Sequence, residues 1–224
     1  PQFAEAAVSC RAWATQHPKA QMRDPISVED VMNSRAIADP LKVLDCSLVS
    51  DGGAAVVITR KDRAKDGPHK AITLLGYGEG HAYEHISQAK DLTTSAAVQS
   101  GQAAYAQAGL TPDDIDLLQL YDCFTPALLI QIEDLGFCGK GEGGAWLASG
   151  ISRPGGSKPM NTHGGMLSYC HPGNPGAMFG LTEAITQMRG DAGERQLPNM
   201  RTALCHAQGG IMSSHATIIL GVEH

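Results

Sequence analysis

The chain has 224 residues, 42% of them hydrophobic and 18% charged, which is enough to bury a sizeable core as one large α/β unit or two smaller ones. Its formal net charge of −6, without a cluster of Lys and Arg, excludes a nucleic-acid surface, and no apolar run has transmembrane length. Cys10, Cys46, Cys123, Cys138, Cys170 and Cys205 are scattered without a CxxC pair, which excludes a zinc knuckle or dithiol redox centre and suits free thiols in a reducing, cytoplasmic setting.

No signal peptide is read at the start; PQFAEAAVSCRAWATQHP looks like an amphipathic helix beginning in mid-protein, about Phe3 to Thr15, ending before His17-Pro18. In PISVEDVMNSRAIADP, Ser27 and Asp30 have the spacing of a capping box, and Pro40 closes the segment. Ala54 to Thr59 is a small and β-branched run expected as a buried strand after the Ser50-Asp51-Gly52-Gly53 turn. A polar linker, Lys65 to Lys70, precedes the strand ITLLGYGEG and a loop carrying His81 and His85. LTTSAAVQSGQAAYAQAGL predicts a helix of about four turns capped by Thr93 or Thr94 and ended by Gly109. Thr111-Pro112-Asp113-Asp114 gives one further helical turn, with proline at its first position. IDLLQLYD is a strand feeding the helix CFTPALLIQIEDLGF, with the boundary on Tyr121 to Phe124. GKGEGG and RPGGSKP are expected as loops, AMFGLTEAITQMRG as a helix, and TALCHAQGGIMSSHATIILG as two neighbouring strands around Gln208-Gly209-Gly210. The alternation predicts a layered α/β fold.

Three loops unite glycine with reactive side chains: 121–124, 161–176 and 205–210. In layered α/β folds such strand ends gather at one site. His171, before Pro172, is either a general base for a thiol or a histidine bonded within its turn. Cys123 is either a thiol with its pKa lowered at a helix start or a buried structural cysteine. Tyr121 either donates to a carbonyl oxygen or protonates an enolate, or else only packs. His163 is a candidate substrate donor or a satisfied loop histidine. His206 and His215 lack HxxxH spacing, and His81 with His85 sit on a loop, so no metal is expected.

In order along the chain, YDCF, NTHGG with CHP after it, and HAQGG resemble the motifs of the thiolase superfamily. More narrowly they resemble sterol-carrier-protein-x type thiolases and the lipid-transfer-protein aldolases of steroid or terpenoid side-chain degradation. The resemblance covers nearly the whole chain. It implies a thiolase-like layered αβαβα fold, with residues 1–62 as the end of the loop domain and last strand of the N-terminal half and 63–224 as the C-terminal domain. It implies that His171 activates the nucleophilic cysteine and helps hold the thioester oxygen, and that Cys123 is the acid/base at the substrate's α-carbon. Tyr121 stands where the family carries an oxyanion-hole Asn or His. His206 stands where biosynthetic thiolases carry the Cys of CxGGG, and the backbone N–H groups around Gly209 and Gly210 would form a second oxyanion hole.

Two departures qualify that picture. The family's nucleophilic cysteine belongs to the N-terminal half, so none of the cysteines here takes that role and the chain alone is expected to be inactive. Cys170 replaces the glycine before His-Pro, which either removes a positive φ or strains the turn. The resemblance therefore implies part of a thiolase-type acyltransferase that cleaves a β-ketoacyl-CoA of a bulky sterol or terpenoid. The alternatives are a retro-aldolase on a β-hydroxyacyl-CoA using Tyr121, and a non-catalytic scaffold or dimerisation half. No covalently bound cofactor is expected; coenzyme A enters as the thioester substrate. A homodimer and a zinc-ribbon/OB-fold partner subunit are the expected associations.

Overall fold

A computed structural model describes residues 1–64 and 66–222, so Lys65, where the expected linker opens, lies outside the described residues. The first helix, α1 (Gln2–Ala14), buries Ala4, Ala6, Ala7, Cys10 and Ala14. These small side chains let it lie close to later elements. Ser27 caps α2 (Val28–Asn33): its hydroxyl accepts from the Asp30 N–H, and the Asp30 carboxylate accepts from the Ser27 N–H. A two-stranded antiparallel ladder follows, β1 (Ala36–Ala38) with β2 (Leu41–Lys42).

Ala54 to Thr59 forms no strand, against expectation. Val57 and Ile58 are 96% and 90% exposed. The run has strand composition, but a strand exists only in a paired ladder, and none of the described residues pairs with it. The chain then makes one helical turn, α3 (Lys61–Ala64), before the main sheet begins with β3 (Ile72–His81).

The sheet has four strands in the order β3, β6 (Ser214–Val222), β5 (Thr202–Gly209), β4 (Leu117–Gln119). β3–β6 and β5–β6 run antiparallel, the latter as the expected hairpin, while β4 and β5 are parallel and enclose a long crossover. Helix α4 (Ala97–Ala108) covers one face. Gly76, Gly78 and Gly80 make that contact possible: a Cβ on any of them would lie 2.2 to 2.4 Å from the carbonyl oxygen of Ala104, Ser100 or Ala96. Leu204 and Ile219 point into the core on this side, with Ile115, Leu128 and Ile132. Their neighbours Ala203, Cys205 and Leu220 point the other way, onto Ala184 and Met188 of α8 (Gly176–Arg189).

Within the crossover, α5 (Thr125–Asp134) starts where expected, with Pro126 in its first turn. α4 starts later than expected and is not capped by Thr93 or Thr94. Thr94 Oγ1 and the Ser95 N–H and hydroxyl all donate to the Asp134 carboxylate at the end of α5, at 3.0, 2.7 and 2.7 Å, so the segment before Ala96 is tied to its neighbour. Gly109 ends α4 in the left-handed region at φ 68°, as expected. Gly143 and Gly144, expected as loop, open α6 (Gly143–Ala148), where the Gly143 N–H donates to Glu133 Oε1 at 3.0 Å. One further short helix, α7 (Gly165–Ser168), interrupts the glycine-rich 161–176 loop.

Candidate active site

β4 is short because its last rung is not a strand. Leu120 donates to Asn161 Oδ1 at 2.8 Å and accepts from Asn161 Nδ2 at 3.0 Å, so a side-chain amide continues the pairing up to Tyr121. Asn161 sits at φ 49°, a conformation that asparagine tolerates better than most residues. The next residue, Asp122, turns inward and accepts from the Met166 and Leu167 N–H groups at 2.8 and 3.3 Å, while the Cys10 thiol donates to it at 3.3 Å. Gly165, at φ 66°, leaves room for that carboxylate: a Cβ there would stand 2.0 Å from Asp122 Oδ2. Burial pushes Asp122 up to about 6, against the pull of those donors. The first two reactive loops are thus joined at Asp122.

The joint brings Tyr121 Oη to 3.0 Å from His171 Nε2. On the other side of the ring, His171 Nδ1 is 2.8 Å from Ser47 Oγ, and the His171 N–H donates to Ser50 Oγ at 2.8 Å. Ser47 also donates its N–H to the Cys123 carbonyl at 2.9 Å, and Leu48 donates to the Met166 carbonyl at 3.1 Å. The stretch from Ser47 to Ser50 therefore runs between the two loops and holds both. With Nδ1–H donating to Ser47, Nε2 is free to accept the Tyr121 hydroxyl proton. Burial lowers the imidazole pKa and raises the phenol to about 12, with Cys123 and Asp122 adding to the latter, so both groups are neutral near pH 7. Cys170 lies outside the left-handed region, so the exchange of glycine for cysteine there removes a positive φ rather than straining the turn.

Cys123, two residues after Tyr121, ties in a further loop. Its sulfur accepts from Gln208 Nε2 at 3.2 Å, which brings in the third loop. The expectation of a lowered thiol pKa fails. The N-cap of α5 is Phe124, one residue on, and burial, with Asp122 nearby, pushes the Cys123 thiol up to about 11. Cys123 is thus a neutral thiol near pH 7.

His206 is bonded within the sheet. Its Nδ1 is 2.8 Å from Thr217 Oγ1, its Nε2 is 3.0 Å from His215 Nδ1, and His215 Nε2 donates to the Met212 carbonyl at 3.0 Å. That last acceptor fixes the whole chain: His215 Nδ1 must accept, so His206 donates through Nε2 and accepts from Thr217. His206 is 3% exposed, and burial followed by the neighbouring His215 pushes it down to about 3. Gly209, exposed, is the last residue of β5, and Gly210, at φ 57°, opens the exposed hairpin turn after it. His163 is 5% exposed and its Nδ1 has no hydrogen-bond partner. It lines a cavity of about 300 Å³ with His17, Lys19, Tyr169, Phe179 and Arg195, which neither Tyr121 nor His171 reaches. Ser47, Ser50, Asp122 and Gln208 were not anticipated as site residues. Only Asp122 and Gln208 carried a signal, since both lie inside the quoted motifs.

This combination of a mixed sheet between helical layers and a histidine-centred loop cluster defines a thiolase-like α/β protein. Residues 78–222 match the family model for the thiolase C-terminal domain-like family, and the chain belongs to that family. It is 38% identical over 229 residues to the steroid side-chain-cleaving aldolase of Thermomonospora curvata, covering 99% of this chain and 56% of that protein. It is 36% identical over 198 residues to the acetyl-CoA acetyltransferase of Methanothermobacter thermautotrophicus, covering 88% of this chain and 52% of that protein. It superimposes on the solved structure of the Ltp2-ChsH2(DUF35) aldolase with a TM-score of 0.90 at 38% identity, covering 99% of this chain and 58% of that one. The chain thus spans about half the length of the curated relatives it matches. Among the described residues no helix is long and apolar enough to cross a membrane. None of their His, Cys, Asp and Glu side chains form a group of three or more able to hold a metal ion.

Proposed function

We propose that this chain belongs to an enzyme that breaks a carbon–carbon bond in the side chain of a bulky sterol or terpenoid coenzyme A thioester, by retro-aldol cleavage of a β-hydroxyacyl-CoA. The observation that carries this reading is the 3.0 Å pairing of Tyr121 Oη with His171 Nε2, which puts a phenol where a thiol-activating imidazole would otherwise be free. The β-hydroxyl proton passes to the Tyr121 oxygen as the Tyr121 proton passes to His171 Nε2, and Ser47 supports the resulting imidazolium at Nδ1. The Cα–Cβ bond breaks, its electron pair moves into the thioester enolate, and a ketone or aldehyde leaves. The Cys123 thiol then protonates Cα, giving the shortened acyl-CoA.

The similarity to a steroid side-chain-cleaving aldolase supports this choice of substrate, and the similarity to an Ltp2-ChsH2(DUF35) aldolase supports a partner subunit of that type. Thiolysis of a β-ketoacyl-CoA is the second reading, favoured by the Cys-His-Pro loop and the similarity to an acetyl-CoA acetyltransferase. The two separate on products. Incubating the enzyme with a steroid β-hydroxyacyl-CoA and no free coenzyme A is expected to release the steroid ketone. Cleavage only of the β-keto thioester, only with free coenzyme A and through a trapped acyl-enzyme, would overturn the aldol reading.

A further inference from the structure

Gln208, next to last in β5, lies opposite His215 and on the same sheet face as His206, so its backbone is fixed by the ladder on either side. Its Nε2 lies 3.2 Å from Cys123 Sγ, while its Oε1 is buried without a hydrogen-bond partner. In this orientation the amide is the donor and the sulfur the acceptor. With Nε2–H donating to sulfur, the thiol's own hydrogen stays free for another acceptor.

We propose that Gln208 is the positioning residue for the Cys123 acid, fixing its sulfur in the neutral state and steadying the thiolate that remains after proton transfer. In that step the S–H bond breaks, a Cα–H bond forms from the enolate electron pair, and the negative charge passes to sulfur. The Gln208 amide hydrogen faces that charge, and the thiol regains its proton from solvent. The proposal rests on the reading of Cys123 as the proton donor, but its test does not use the reaction.

In substrate-free protein, alkylation of Cys123 by iodoacetamide is followed against pH, with peptide mass spectrometry separating it from the other cysteines. Gln208→Leu removes a donor to the thiolate, so the alkylation midpoint moves up by about one unit and the rate below it falls about tenfold. Gln208→Glu keeps the shape and adds a negative charge, and shifts the midpoint further. A midpoint that stays or falls in Gln208→Leu overturns the proposal, because a glutamine that accepted the S–H would on removal release the thiol to ionise more readily. Thermal unfolding checks that the variants fold, and Gln208→Asn, which withdraws the same donor by one methylene, replaces Leu if it does not. An upward shift together with no ketone release leaves the positioning role standing and removes the aldol reading.

Discussion

Two histidine clusters sit within the same domain, and they differ in what their nitrogens are free to do. In the His206–His215 chain each imidazole nitrogen is bonded to a fixed protein group, and the polarity of every bond follows from the Met212 carbonyl at its end. At His171 one nitrogen is held by Ser47 and the other meets a phenol that can itself pass a proton on. The first arrangement holds a hairpin together; the second can change its protonation without breaking the fold. A histidine's chemistry is set by whether its second nitrogen ends on something that can give up or take a proton.

Acid should separate the two most strongly. Burial holds His17 and His163 at about 4 and His206 at about 3, so between those values and about 6.5 the unfolded chain binds more protons than the folded one. Stability is therefore full above pH 6.5 and falls as pH drops toward 4 and 3. Asp122, raised to about 6, works in the opposite direction between 6 and its ordinary value, but it is one group against three. Chemical denaturation across pH 8 to 4 measures the loss, and a flat profile would contradict the buried neutral state of the three rings.

At the reactive pair, His171→Ala is expected to lower kcat about a thousandfold and Tyr121→Phe about a hundredfold, both without loss of thermal stability. Steady-state rates on the β-hydroxyacyl thioester check this, and full turnover in Tyr121→Phe would remove the phenol from the mechanism. His206→Leu should invert that pattern. It leaves His215 Nδ1 without its donor, although Thr217 keeps Ser100 as a partner, and costs about 1–3 kcal/mol in stability, while the pH profile of turnover keeps its shape. The smallest effect is expected for Ser47→Ala, about fivefold in kcat with little change in KM, since it loosens His171 without removing it. A Ser47→Ala enzyme as slow as His171→Ala would mean that the serine touches substrate.

Much of the fold could be read from period and punctuation: the Ser27–Asp30 cap, Gly109 after α4 and the final hairpin all rest on local rules. Ala54 to Thr59 could not, because whether a β-branched run is a strand depends on a partner elsewhere. The start of α4 failed for a similar reason, since Asp134 binds Thr94 and Ser95 from forty residues away. In the site, motif order brought out Tyr121, Cys123 and His171. It gave no sign of what His206 bonds to, because its partners Thr217 and His215 lie on the neighbouring strand. Ser47 was illegible, as nothing local distinguishes a serine that reaches His171 across 124 positions from one that faces water.

Asn161 narrows what this loop can become. It must accept from one backbone group, donate to another and sit at φ 49°, and of the common side chains only asparagine meets all three demands at that length. Aspartate would repel the Leu120 carbonyl, glycine would leave the rung empty, and glutamine would overshoot it. Any redesign of the pocket around Tyr121 and His171 is therefore free to vary the reacting groups themselves more readily than this one amide, which sets the ground on which both stand.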